Sequence, residues 1–408
     1  MKYPSFFLFF SFFLFQCSTA PIPQTAAFDG RLLDYSLQRI KAGDPAFTAA
    51  YQQLLVEADR ALTEGPYTVT SKTKTPPSGD KHDYMSMGPY WWPNPDTPDG
   101  LPYIRKDGYR NPERNQYEDR GNLGKLGSAV ETLGLAYYFS KDEKYAQHAA
   151  KLLKVWFLDE ETLMNPHLNF GQSIPGITDG RAAGLIETVA FIGLLDGVRL
   201  LDGSKSWTAT DHDALRKWFA QFFDWLQTSK IGVDERNALN NHGTWYDAQS
   251  IAMALYLGKY DAAKQIASEQ SVSRLKSQIM PDGSQPHELA RAGSWGYSTM
   301  NLRGFFTLST LAGHAGVDLW NVTDETGKPY LKMALDFLIP TFEDSTQWKY
   351  SQVDNRFDRG TMYHLLQRAS VVYNEPVYAA LVQKYQSVEQ KNSRNKLLWP
   401  QMMNRKGE

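Results

Sequence analysis

The sequence predicts an all-α fold: a toroid or incomplete barrel of antiparallel helical hairpins, with one long proline-rich lid loop. Three observations carry this. Apolar residues recur at helical spacing through most of the chain, the connections between these stretches are short, and strand signals are scarce. From residue 122 onward one helical stretch follows another: 122–139, 142–157, 180–201, 211–228, 240–257, 260–279, 297–315, 330–340, 360–372 and 376–390. Asp142, Thr210 and Asp211 are suitable caps for such starts, since a short polar side chain accepts from the free N–H groups of a first turn. Short links between helices of similar length favour antiparallel neighbours, and a ring of hairpins follows. An α-solenoid would need a repeat period, and none is present.

The chain begins with Met1-Lys2 and an apolar run from Phe6 to Phe15, which reads as a secretory signal over residues 1–20 and is too short to span a bilayer. Ser18-Thr19-Ala20 suits a signal peptidase, although Pro21 follows directly. Leu14-Phe15-Gln16-Cys17 offers a second route, a lipoprotein box whose cysteine carries a lipid anchor. Export to the periplasm or the outer membrane is therefore expected. Cys17 is the only cysteine, so disulfides and thiolate metal ligands are excluded from the folded part. Residues 21–27 read as a linker, residues 31–63 as one helix, and residues 28–408 as a single domain, expected to be a monomer. Within it, residues 65–118 break every helical pattern with prolines from Pro66 to Pro112, as a lid or substrate-binding loop would.

A formal net charge of -2 provides no global field for nucleic acid or an anionic membrane, so any grip on an anion is local. An aromatic content of 13% suits flat sugar faces as well as cores. Four constellations stand out. Asn240-Asn241-His242-Gly243 opens an apolar helix, with Asn240 as a cap; free N–H groups there favour an anion and disfavour a protonated imidazole. The segment from His287 to Tyr297 gathers Glu288, Arg291 and Tyr297, and Arg291 offers a fork for a carboxylate. Its plainer reading is a Glu288–Arg291 ion pair with Trp295 and Tyr297 as packing. The lid carries His82, Tyr84, Tyr90, Trp91 and Trp92, either a sugar-stacking platform or a loop tucked into the core. Gln172 and Arg181 flank a Pro-Gly turn and either reach a carbohydrate or cap a helix. A catalytic metal is not expected, because no His-x-x-x-His spacing accompanies His82-Asp83.

These groups suit β-elimination from a uronate glycoside, which needs a neutraliser for the carboxylate, a base for the C5 proton and an acid for the leaving oxygen. His242 fits the base and Tyr297 the acid, or Tyr297 both if the two groups lie on one sugar face. Asn241 and Arg291 fit the neutralisers. Asn240-Asn241-His242-Gly243-Thr244-Trp245-Tyr246-Asp247, the lid motif ending Pro89-Tyr90-Trp91-Trp92-Pro93, the Gly171-Gln172 turn and the Arg291-to-Tyr297 segment together resemble the alginate lyase superfamily. The resemblance covers roughly residues 65–311 and implies an α/α toroid, an anionic polysaccharide substrate and no metal or other cofactor. It also implies that Asn241, His242, Arg291 and Tyr297 carry the elimination, and that Tyr84, Tyr90, Trp91, Trp92, Gln172, Glu288 and His82 contact substrate. The Arg291–Tyr297 spacing is one residue shorter than in the best-known alginate lyases, which leaves glucuronan or another uronan open. Two other readings remain: a glycoside hydrolase using a pair from Asp179, Asp247 and Glu288, and a non-catalytic glycan-binding protein using the Tyr90-Trp91-Trp92 loop.

Overall fold

The structure is a computed structural model that describes residues 22–353, 356–388 and 394–400. The signal segment and Cys17 lie outside the described residues. Helices α1 (Gly30–Lys41) and α2 (Pro45–Ala61) replace the single helix expected over 31–63. The break has a local cause: Gly43 takes a left-handed φ of +73°, and the Asp44 carboxylate accepts from the Ala46 and Phe47 amides to start a new helix. Then come α3 (Glu118–Ser140), α4 (Glu143–Phe157), α5 (Ala190–Arg199), α6 (Ala209–Thr228), α7 (Lys230–Arg236) and α8 (Asn241–Tyr256). Asp142 caps α4, but the cap of α6 is Thr208, with Asp211 completing a capping box three residues in.

Helices α9 (Tyr260–Gln265) and α10 (Val272–Gln278) are joined by a π-helical turn. The remaining helices are α11 (Pro286–Leu289), α12 (Ser294–His314), α13 (Tyr330–Glu343), α14 (Arg359–Val372), α15 (Pro376–Lys384) and α16 (Arg394–Leu398). Among the described residues, no helix is long and apolar enough to cross a membrane.

Helices α3, α5, α8, α12 and α14 pack in that order into the inner wall of a toroid, and α2, α4, α6, α13 and α15 back them from outside. Helix α8 is buried on all sides from Gly243 to Tyr256, which explains why its sequence is apolar around the whole circumference. Helices α3 and α5 cross so closely that a Cβ on Gly134 would lie 2.5 Å from the Gly197 carbonyl oxygen. Helix α16 ties the end of the ring to its start. Ser36 donates to the Leu397 carbonyl, Arg394 pairs with Glu57, and the Trp399 ring lies 4.6 Å from the Arg368 guanidinium.

The proline-rich segment expected to be a lid forms two small sheets. Strand β1 (Met85–Met87) pairs in parallel with β4 (Phe170–Ser173), and β2 (Trp91–Trp92) pairs antiparallel with β3 (Ile104–Arg105). The first joins the lid base to the Gln172 turn, and the second folds the Trp pair back on itself.

The expected linker at 21–27 is in fact docked where it is described. The Asp196 carboxylate, 1% exposed, accepts the amides of Ala26, Ala27 and Phe28 at 2.7–2.8 Å and pairs with Arg199. Removing it leaves three amides without their acceptor and a cation without its partner. Asp196→Ala is accordingly expected to cost about 3 kcal/mol in a denaturant titration. A loss well under 1 kcal/mol would show that water replaces the carboxylate.

Candidate active site

The turn from α7 into α8 makes the first half of the site. Asn240, in an extended conformation, caps α8 by accepting the His242 amide at 3.2 Å, which sets Asn241 and His242 in the first turn. Glu235, on the last turn of α7 and 3% exposed, lies 2.6 Å from His242 Nδ1. A carboxylate only accepts, so Nδ1 carries the proton and Nε2 is left with a lone pair in the neutral ring. Glu235 thus fixes both the tautomer and the ring plane.

Asn241 is bound twice to Glu288 on α11, through its backbone amide at 2.6 Å and its Nδ2 at 2.8 Å. Glu288 is 1% exposed. Burial raises its pKa, against which act the two Asn241 hydrogen bonds and the charges of Arg291 and His242. The same carboxylate therefore joins α8 to α11 within electrostatic reach of both His242 and Arg291. Among the described residues Glu288 forms no direct ion pair with Arg291, which is bonded to Asp107; the Glu288 oxygens accept from Asn241.

Arg291 belongs to a clasp with the lid. Its Nε and Nη2 lie 3.1 and 2.7 Å from the two oxygens of Asp107, whose carboxylate also accepts the Ala292 amide and pairs with Arg105. Although burial pushes Asp107 up, the Arg291 hydrogen bond, the Ala292 amide and the two arginine charges hold it at about 2. Arg291 Nη2 also donates to the Tyr297 hydroxyl at 2.8 Å, and its guanidinium stacks 3.8 Å from the Tyr297 ring centre. The Tyr297 and Tyr90 hydroxyls are 2.6 Å apart. Burial, followed by the neighbouring Tyr90 phenol, drives the Tyr297 pKa well above 10, while Arg291 opposes this. The phenol is held protonated.

Glu187 organises the opposite wall. It accepts from the Tyr84 hydroxyl at 2.7 Å, the Ser86 hydroxyl at 2.6 Å and the Gln172 amide at 3.4 Å, and pairs with Arg120. Tyr84 is 0% exposed, so its expected role in holding substrate is corrected to packing. Gln172 is also buried, with a left-handed φ of +49°, and its carboxamide and carbonyl oxygens both accept from Arg181; it shapes the wall instead of lining it. His82 turns away from this group, with Nδ1 2.6 Å from the Leu163 carbonyl oxygen. Trp91 and Trp92 are half-buried, Trp91 under Arg181 and Trp92 bonded to the Tyr109 carbonyl.

Asn241, His242, Arg291, Tyr297 and Tyr90 are thus brought together. Glu235 and Asp107 were missed. Seven residues and a helix end separate Glu235 from His242, and Asp107 lies 184 residues from Arg291, so no spacing rule marks either. Among the described residues, no group of three His, Cys, Asp or Glu side chains is arranged to hold a metal ion.

The family model described as alginate lyase matches residues 68–348. An alginate lyase from Bacteroides ovatus, known from its crystal structure, is 42% identical, with 93% of this chain and 100% of that chain covered and a TM-score of 0.89. Alginate lyase A1-III from Sphingomonas species A1 is 15% identical over 87% of this chain and 94% of that one, with a TM-score of 0.55. A variant of alginate lyase A1-III complexed with tetrasaccharide is 15% identical over 84% and 87%, with a TM-score of 0.57. The last two likenesses concern the fold alone. No curated protein matches this chain.

Because the folded pKa of Asp107 is depressed, the stability it contributes is fully present above the unfolded value of about 3.9 and lost as pH falls through about 2. The clasp therefore stays shut across the neutral range. Asp107→Asn is expected to speed proteolytic cleavage of the lid between residues 89 and 111 several-fold at neutral pH, while α8 and α12 stay resistant. An unchanged digestion pattern would mean that Asp107 does not hold the lid.

Proposed function

The chain belongs to the alginate lyase family, and on that premise we propose that His242 is the base and Tyr297 the acid of its elimination reaction. It is a polysaccharide lyase acting on alginate. The observation that carries the assignment is the contrast between two neighbouring groups, an imidazole whose Nε2 lone pair is kept free by Glu235 and a phenol kept protonated by burial.

The electron pair of the C5–H bond becomes the C4–C5 double bond as Nε2 takes the proton. The C4–O bond breaks towards oxygen, and that oxygen takes the proton of Tyr297. Glu235 stabilises the imidazolium that forms, while Arg291 and the Tyr90 hydroxyl stabilise the phenolate. Asn241 and Arg291 help to neutralise the uronate carboxylate, without which the C5 proton is too weakly acidic. A Tyr297 that served as both base and acid would have to start as phenolate, and burial beside Tyr90 opposes that. The division of labour between two residues is thereby favoured, as is a substrate whose proton and leaving group lie on opposite faces.

Hydrolysis is disfavoured by the fate of its candidate carboxylates. Asp247 is buried in an ion pair with Arg274, and Glu288 is taken by Asn241. The export route, by signal peptide or by lipid at Cys17, is proposed on residues 1–20 of the sequence alone.

Tyr297→Phe keeps the ring stacking and removes only the proton donor. Turnover of alginate, followed by the ultraviolet absorbance of the unsaturated product, is expected to fall by about 10²–10⁴-fold. Retained activity would remove Tyr297 from the chemistry. Glu235→Gln is expected to lower kcat at least about tenfold with little change in KM, because ring orientation is lost while the binding surface stays. A change confined to KM would contradict the orienting role.

A further inference from the structure

Two arginines share one carboxylate, since Arg291 and Arg105 both pair with Asp107. Arg291 thus meets substrate with two of its three nitrogens already engaged. A third guanidinium stands close by in a different condition. Arg181 donates from Nε to the Gln172 carbonyl at 3.2 Å and from Nη2 to the Gln172 carboxamide oxygen at 2.7 Å. Its Nη1 makes no hydrogen bond among the described residues, nor does Arg181 form an ion pair there.

Three ties locate it. Its guanidinium lies 6.0 Å from the Trp91 ring centre, and Trp91 follows Tyr90, the partner of Tyr297. It lies within electrostatic reach of Glu235, the partner of His242. It also feels Arg105, the partner of Asp107. Arg181 therefore sits among the groups that hold the base, the acid and the clasp.

The backbone accommodates this position at some cost. Gln172 adopts a left-handed conformation that non-glycine residues avoid, and that is how its carbonyl and side-chain oxygens both come to face one guanidinium. A Cβ on Gly88 would lie 2.7 Å from Trp91 and 3.3 Å from Arg181 Nη2, so a glycine there lets ring and cation stack. Arg181 is half-buried and oriented by Gln172, and although the Glu235 and Glu187 carboxylates act on its charge, neither is bonded to it among the described residues.

We propose that Arg181 binds a uronate carboxylate of the substrate, sharing with Asn241 and Arg291 the neutralisation that elimination requires. The proposal rests on the reading of the site as a uronan site, and it turns the sequence expectation that Arg181 reaches a carbohydrate into a contact with one carboxylate. A guanidinium fixed by Gln172 presents its free edge as a planar donor, and a charge-assisted bond of this kind in a partly desolvated site contributes about tenfold or more in affinity.

The test is a binding cycle in a Tyr297→Phe background, where turnover does not intervene. A saturated guluronate tetrasaccharide and its full methyl ester are titrated by calorimetry against that protein and against the same protein carrying Arg181→Gln or Arg181→Lys. The expected result is that Arg181→Gln weakens the acid about tenfold or more and leaves the ester unchanged, so the acid-to-ester preference collapses by the same factor, with Arg181→Lys in between. Melting temperatures confirm that the variants are folded, and Arg181→Lys serves if Arg181→Gln is not. An acid-to-ester preference unaltered by either variant would overturn the proposal. Failure of the lyase reading would show elsewhere, as wild-type protein that releases no unsaturated product.

Discussion

A carboxylate taken out of water has to be paired, and the architecture of this protein follows from where it pairs them. Asp196 draws the N-terminal segment onto α5. Glu187 collects Tyr84, Ser86, Gln172 and Arg120 and so welds the lid base to the wall of the groove. Glu235 holds His242, Glu288 holds Asn241, and Asp107 holds Arg291. Each polar group proposed for the chemistry thus leans directly or at one remove on an acid that does not itself react. The result is orientation obtained before substrate arrives.

The electrostatic consequences differ from residue to residue, and that difference makes a reaction. His242 is held by the Glu235 carboxylate 2.6 Å from its Nδ1, which fixes the ring and leaves Nε2 to face substrate. Tyr297 sits in a half-buried pair of phenols, which resists ionisation, yet Arg291 is placed to stabilise the charge once the proton has left.

Much of this was legible in the sequence. The helical periodicity of α3, α4, α8 and α12 located the toroid wall, the Asn240 cap marked where α8 begins, and the prolines between Pro66 and Pro112 marked the lid. Asn241 and His242 stand out in the turn that opens α8, and Tyr297 in the first turn of α12, while Arg291 lies in the bend just before it; their residue types are hard to explain as packing alone. The rest depends on distances across the fold. The two-residue strands β2 and β3 carry no period, and the break between α1 and α2 turns on one glycine. Tyr84 and Tyr90 are near neighbours in one aromatic loop, and only the packing of β1 against β4 decides that the first is buried and the second meets Tyr297. The signal for Glu235 and Asp107 was likewise absent, since an acid in a helix end or a loop is usually solvated.

The central claim is that Glu235 keeps His242 as a base whose free lone pair is on Nε2. Nitrogen-15 resonances of labelled histidine, recorded near neutral pH on the unliganded protein, report directly which ring nitrogen carries hydrogen. The account predicts a His242 with protonated Nδ1 and unprotonated Nε2. A ring protonated on Nε2, whether as the other neutral tautomer or as the imidazolium, would contradict it.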